Sequence, residues 1–135
     1  MIESKQLKSA GLKITVPRVK ILQVLEQARE HHLSAENVYK KLFDMGEEVS
    51  LATVYRVLTQ FEAAGLIDRH NFEGGYSVFE LRQDTHHDHL VCVKCGRVEE
   101  FLDEVIESRQ HQIANKACFK MTGHALNIYG ICANC

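Results

Sequence analysis

Apolar residues recur every three or four positions through the first half of the chain, the period of helices with one buried face, and give way to short β-type runs beyond residue 65. KQLKSAGL reads as a short helix stopped at Gly11. In TVPRVKILQVLEQAREH, Thr15 is placed to cap and Pro17 suits the first turn, while Val16, Ile21, Leu22, Val24 and Leu25 form the apolar face. Ser34 caps SAENVYKKLFDMG, with Val38, Leu42 and Phe43 expected inward and Gly46 as the stop. After the GEEV turn, Ser50 opens SLATVYRVLTQFEAAG, with Leu51, Val54, Val57, Leu58 and Phe61 on one side. Two short helices around a glycine-bearing turn predict a helix-turn-helix. LIDRHNF and YSVFEL, separated by EGG, predict a β-hairpin. Three helices followed by a hairpin describe a winged helix, with Thr53, Tyr55, Arg56 and Thr59 leaving the apolar face of the last helix where they could enter a DNA major groove.

The polar segment RQDTH, residues 82 to 86, marks a junction. Beyond it DHLVCV and RVEEFL predict a hairpin around the KCG turn. DEVIESRQHQIANK predicts a helix with Val105, Ile106, Ile113 and Ala114 inward, and KMTGHALNIYGIC a strand interrupted at Gly123 and ended near Gly130. The expected fold class is α+β: a winged helix-turn-helix domain over 1–82, a hinge over 83–86 and a small α/β domain over 87–135.

Composition adds bounds rather than identity. A chain of 135 residues, 45% hydrophobic and 25% charged, suits one domain or two small ones. It has no apolar run of about 18 residues to span a membrane. Its start, MIESKQLKSAG, lacks the apolar core of an export signal, so a cytoplasmic location is expected. The net charge of −2 and pI near 6.4 are unlike most DNA-binding domains. Charge is nevertheless segregated: Lys5, Lys8, Lys13, Arg18 and Lys20 face only Glu3 within the first twenty residues, a basic stretch suited to phosphates.

The chemistry concentrates beyond residue 84, where all five cysteines and five of the eight histidines lie. In a reducing compartment, Cys92 with Cys95 and Cys132 with Cys135 are two CxxC pairs that predict a structural four-thiolate zinc site, with the glycine of CVKCG shaping the knuckle. Cys118 is left over. In HHDHLVCVKC, strand alternation puts His87 and His89 on one face and His86 and Asp88 on the other. A hairpin register with residue 92 opposite 97 sets Glu100 opposite His89. Glu80 and His32 are candidates to complete the first face, Glu107 and His124 the second, and the choice between His31 and His32 stays open. His31, His70 and His111 read as hydrated surface histidines. Imidazole and carboxylate donors suit Fe(II), Mn(II), Co(II) or Zn(II), and ligand type alone does not choose among them.

HNFEGGYSVFEL, HHDHLVCVKCG and GEEVSLATVYRVL together resemble the ferric uptake regulator family, from about residue 5 to the final cysteine. The resemblance implies a dimeric, metal-dependent transcription regulator whose α/β domain dimerises. It implies a regulatory site of His32, Glu80, His87, His89 and Glu100, a second site of His86, Asp88, Glu107 and His124, and structural zinc on Cys92, Cys95, Cys132 and Cys135. It further implies Tyr55 and Arg56 at base edges, with Thr53 on the same helix, and Lys13 toward a minor groove. Peroxide-sensing relatives carry aspartates where this chain has Glu80 and Glu100, and zinc-uptake relatives commonly use a hinge cysteine, so the iron-responsive branch is expected. The implied role is a non-enzymatic repressor sensing Fe(II), with Mn(II), Co(II) or Zn(II) as substitutes. Its partners would be operator DNA of iron-uptake genes, as an AT-rich palindrome, and a second copy of the chain, as homodimer or tetramer, with no membrane partner. The sequence ends at Cys135, where many relatives append a His- and acid-rich tail, and the three expected sites do not depend on that tail. A metal hydrolase and a metal buffer are the readings from other classes. The first would need an open ligand position and a general base; the second would not bind a specific palindrome.

Overall fold

Side-chain oxygens satisfy the first amides of three helices in the N-terminal half. The computed structural model describes all residues except Met1, 29–31, 84 and 85, so His31 and the middle of the expected hinge lie outside the described residues. Helix α1 (Ile2–Ser9) stops before Gly11, whose φ of 77° suits a residue without a Cβ. Thr15 accepts from the Arg18 amide at 3.3 Å and opens α2 (Val16–Gln27), with Pro17 in its first turn. Ser34 and Asn37 exchange two 3.1 Å hydrogen bonds in a capping box that opens α3 (Ala35–Asp44). Ser50 accepts from the Thr53 amide at 3.1 Å at the start of α4 (Leu51–Ala63). Each such cap contributes about 1 kcal/mol.

Strands β1 (Ile67–Phe72) and β2 (Tyr76–Leu81) form an antiparallel hairpin in which Asp68 opposes Glu80 and His70 opposes Val78. A short bridge ties Leu33 to Phe79 through amide-to-carbonyl bonds of 3.1 and 2.7 Å. Leu7, Leu22, Val38, Leu42, Val54, Leu58, Phe61 and Phe79 fill the core between the helices and this hairpin. Two expected core residues are outside it. Val16 is exposed and Val19 is buried instead, since Val19 shares the stripe of Leu22 while Val16 lies in the first turn. Phe43 is exposed because Ala35, Val38 and Leu42 already complete the inward stripe of α3, and Phe43 sits about 100° around the helix from Leu42.

The chain divides into two units, Met1–Gln83 and Asp84–Cys135. In the second, β3 (Asp88–Cys92) lies at the centre of a three-stranded sheet, antiparallel to β4 (Val98–Phe101) and parallel to β5 (Asn127–Gly130). Helix α5 (Glu104–Lys116) provides the crossover that a parallel pair requires. Asp103 caps it, accepting from the amides of Val105 at 2.8 Å and Ile106 at 3.2 Å. The strand expected from residue 120 is confined to 127–130, because its partner β3 is short and the pairing begins at His89 opposite Asn127.

The expected inward face of α5 is not buried: Val105 is 72% and Ile113 59% exposed, while Ile106 and Ala114 are half-buried. Every member of the main apolar cluster belongs to the first unit, and among the described residues the second buries only Val91 and Cys92 of its apolar side chains. Among the described residues, no helix is long and apolar enough to cross a membrane.

Candidate metal centres

The two CxxC pairs meet in space. Cys92 ends β3, Cys95 follows in the turn closed by Gly96 (φ 78°), and Cys132 and Cys135 follow β5, brought alongside by the parallel β3–β5 pairing. Sulfur separations are 3.8 Å for Cys92–Cys135, 3.7 Å for Cys95–Cys132 and 3.5 Å for Cys132–Cys135. A tetrahedral zinc ion with Zn–S bonds of about 2.3 Å places its sulfurs about 3.8 Å apart, whereas a disulfide needs about 2.05 Å. All four are free thiols, so the quartet fits the metal and not a cross-link. The amides of Cys95 and Cys132 donate to Cys92 Sγ at 3.5 and 3.3 Å and lower that thiol to about 5, readying one thiolate. Neighbouring thiols, first Cys132 and then Cys95, push Cys135 up to about 12. Cys118, exposed just after α5 with φ 62°, is not part of the quartet.

A second cluster combines His86, Asp88, Glu107 and His124, whose donor atoms lie within 4.8 Å of one another. His86 Nε2 is 3.0 Å from Asp88 Oδ1 and 3.7 Å from Glu107 Oε1. His124 Nε2 is 3.6 and 3.0 Å from the same two oxygens. Asp88 is buried, and its Oδ2 has no hydrogen-bond partner among the described residues. An ionised oxygen held this way is costly unless a cation shares the site, so the donor set fits a divalent ion.

On the opposite side of β3, His89 opposes Glu100 in the expected register. His87 Nε2 lies 3.3 Å from Glu100 Oε1, and the His87 and His89 rings are 5.0 Å apart. In the first unit, Glu80 receives two histidines: His32 Nε2 is 3.1 Å from Oε2 and His70 Nε2 is 2.7 Å from Oε1. His70 was expected at the hydrated surface; instead it lies against Glu80, because the hairpin register makes residues 70 and 80 diagonal neighbours on one face. The signal was present in the loop length between the strands, which fixes that register.

The α4 surface carries the residues expected to meet DNA. Tyr55, Arg56 and Thr59 are exposed, Thr53 is half-buried beside its cap, and Lys13 is exposed. Arg18 holds the segment before α2 by donating to the Lys13 carbonyl at 2.9 Å and to Gln60 at 3.0 Å. Glu36, which sequence reasoning did not single out, accepts a 2.8 Å hydrogen bond from the Tyr55 hydroxyl. Its carboxyl is held below the ordinary value by a backbone amide and then by Tyr55, and the Tyr55 phenol is correspondingly raised by Glu36.

Comparison with known proteins agrees with this arrangement. Residues 9–129 match the ferric uptake regulator family. The chain is 76% identical over 135 residues to the ferric uptake regulation protein of Legionella pneumophila, covering 100% of this chain and 99% of that protein. It is similar to the crystal structure of the Vibrio cholerae ferric uptake regulator, with a TM-score of 0.90 and 60% identity over 96% of this chain and 98% of that one. A ferric uptake regulator structure from Francisella tularensis with iron has a TM-score of 0.88 and 44% identity, covering 92% and 94% of the two chains.

Proposed function

The chain belongs to the ferric uptake regulator family, a family of metal-responsive transcription regulators and not of enzymes, and from that premise we propose that it is an Fe(II)-dependent repressor binding operator DNA of iron-uptake genes as a homodimer. The observation that carries the reading is the division of donors: His32 and Glu80 belong to the winged-helix unit, while His87, His89 and Glu100 belong to the α/β unit. Each half-set is gathered within its own unit. Together they are the proposed regulatory site, and residues 83–86 between them are the proposed hinge.

A divalent cation supplies two positive charges with several open coordination positions, and the borderline donors here suit Fe(II), with Mn(II), Co(II) or Zn(II) as substitutes. By gripping one ion from both sides, His32 with Glu80 and His87 with His89 and Glu100 would restrict the hinge and so the spacing between two recognition helices in a dimer. A two-fold dimer reads half-sites about one helical turn, roughly 34 Å, apart, so a loose hinge lowers the fraction of molecules able to bind. The ligands need only favour the competent orientation over the others to shift that population. The Vibrio cholerae relative, whose crystal structure shows structural rearrangement of its DNA-binding domains, supports a movable reader.

Tyr55 and Arg56 are assigned to base edges of an AT-rich palindrome, Thr53 to the same groove and Lys13 to a minor groove; the exposure of Tyr55, Arg56 and Lys13 supports this, with Thr53 half-buried at the start of α4. Dimerisation, with a tetramer as its doubled form, is assigned to the α/β unit, whose exposed Leu102, Val105, Ile113 and Phe119 need covering. Cys92, Cys95, Cys132 and Cys135 hold structural zinc, and His86, Asp88, Glu107 and His124 form a second cation site. The cytoplasm is the proposed location. The test is His89→Ala: the fold and thiolate zinc should persist while Fe(II)-dependent operator binding disappears. A variant that binds operator with the same metal dependence as the parent refutes the assignment.

A further inference from the structure

The winged-helix unit by itself gathers two imidazoles and a carboxylate. Strand β1 supplies His70, β2 supplies Glu80 and the segment before α3 supplies His32. The Leu33–Phe79 bridge fixes His32 beside Glu80, since each lies one residue from a bridged position. The β1–β2 register fixes His70 diagonally across from Glu80. Both imidazoles present Nε2 to the carboxylate, one to each oxygen, at 3.1 and 2.7 Å, with ring centroids 5.7 Å apart. The His32 and Glu80 side chains are 1% and 2% exposed and that of His70 is 25% exposed, so the donors are preorganised with one side reachable from solvent. The His70 ring is also stacked on Phe72, with centroids 6.4 Å apart and planes 11° from parallel, which limits its rotation.

The geometry points to His70 as a metal ligand, and to His32, His70 and Glu80 as a three-donor loading site through which the DNA-binding unit captures a divalent cation before the second unit's ligands engage it. Two histidines and one carboxylate with open positions are a donor set suited to Fe(II) and its divalent neighbours. This inference rests on the assignment of His32 and Glu80 as ligands, and adds that His70 makes their half of the site competent alone. A purely structural His70 would hydrogen-bond Glu80 in the metal-free protein and never contact the ion.

Co(II) added to the full-length, zinc-loaded protein tests this through the histidine ring signals in NMR, with the His70 signals assigned by their loss in His70→Ala. Strong paramagnetic shifts at both His32 and His70 are expected, in the parent and in a His87→Ala/His89→Ala/Glu100→Ala variant that lacks the second unit's donors. In that variant background, His70→Ala should weaken Co(II) binding at His32 by more than the roughly 10–100-fold that loss of a residue merely hydrogen-bonded to a ligand costs. Shifts at His32 with none at His70 overturn the loading site and leave the regulatory assignment standing. No shift at either in the parent overturns both.

Discussion

Replacing Cys95 with serine removes one corner of the thiolate tetrahedron and tests how the C-terminal unit is stabilised. Among the described residues Val91 is, apart from the candidate ligand Cys92, that unit's only buried apolar side chain, and at about 1.5–3 kcal/mol its burial is a small term before conformational entropy is charged against it. A structural zinc site contributes on the order of 10 kcal/mol or more near neutral pH. Zinc on the proposed quartet would therefore be the larger stabilising term, and Cys92 and Cys132 would anchor β3 to the end of β5 through it. Cys95→Ser should lose its stoichiometric zinc by elemental analysis, melt at lower temperature and no longer elute as a dimer. Cys118→Ser, outside the quartet, should keep zinc, melting temperature and mass. A metal-free Cys95→Ser protein with the parent's melting temperature and dimer mass would refute the reasoning.

Phe61 is fully buried in the helical core, so Phe61→Ala should cost about 3–5 kcal/mol in urea unfolding, and a loss below about 1 kcal/mol would contradict the packing described. The Glu36 carboxyl is held below its ordinary 4.5, so the folded state binds fewer protons there; its stabilisation is complete above 4.5 and is lost as pH falls through the lowered value. Glu36→Gln should flatten that part of the acid-unfolding curve, and an unchanged curve would argue against the Tyr55 contact. Lys13→Ala should weaken binding of AT-rich operator more than of GC-rich DNA, because a minor-groove contact distinguishes A·T from G·C pairs. An equal loss on both sequences would remove Lys13 from the minor groove.

The helical caps were legible because Thr15, Ser34 and Ser50 act on amides three residues away, within the reach of local sequence. The opposition of His89 and Glu100 was legible for a related reason: strand alternation and the KCG turn together fix one register. Periodicity reports which residues share a face but not whether anything covers it, which is why Phe43, Val105 and Ile113 were expected inward and are exposed. His70 was missed because its relation to Glu80 is diagonal across a hairpin, and its own neighbours in sequence, Arg69 and Asn71, suggest a wet surface. The Glu36–Tyr55 contact depends on how α3 packs against α4, a distance absent from any local pattern. The cysteine quartet was predicted from spacing, yet the parallel β3–β5 pairing that assembles it becomes visible only in three dimensions.

The most direct measurement is operator affinity of the zinc-loaded protein titrated with Mn(II) under anaerobic conditions, alongside Mn(II) affinity with and without operator. Coupling through shared ligands predicts that the cation tightens DNA binding and that DNA tightens cation binding by the same factor, with both effects abolished in His89→Ala. Operator binding of equal strength with and without Mn(II) and Fe(II), in protein that retains its thiolate zinc, would contradict the account.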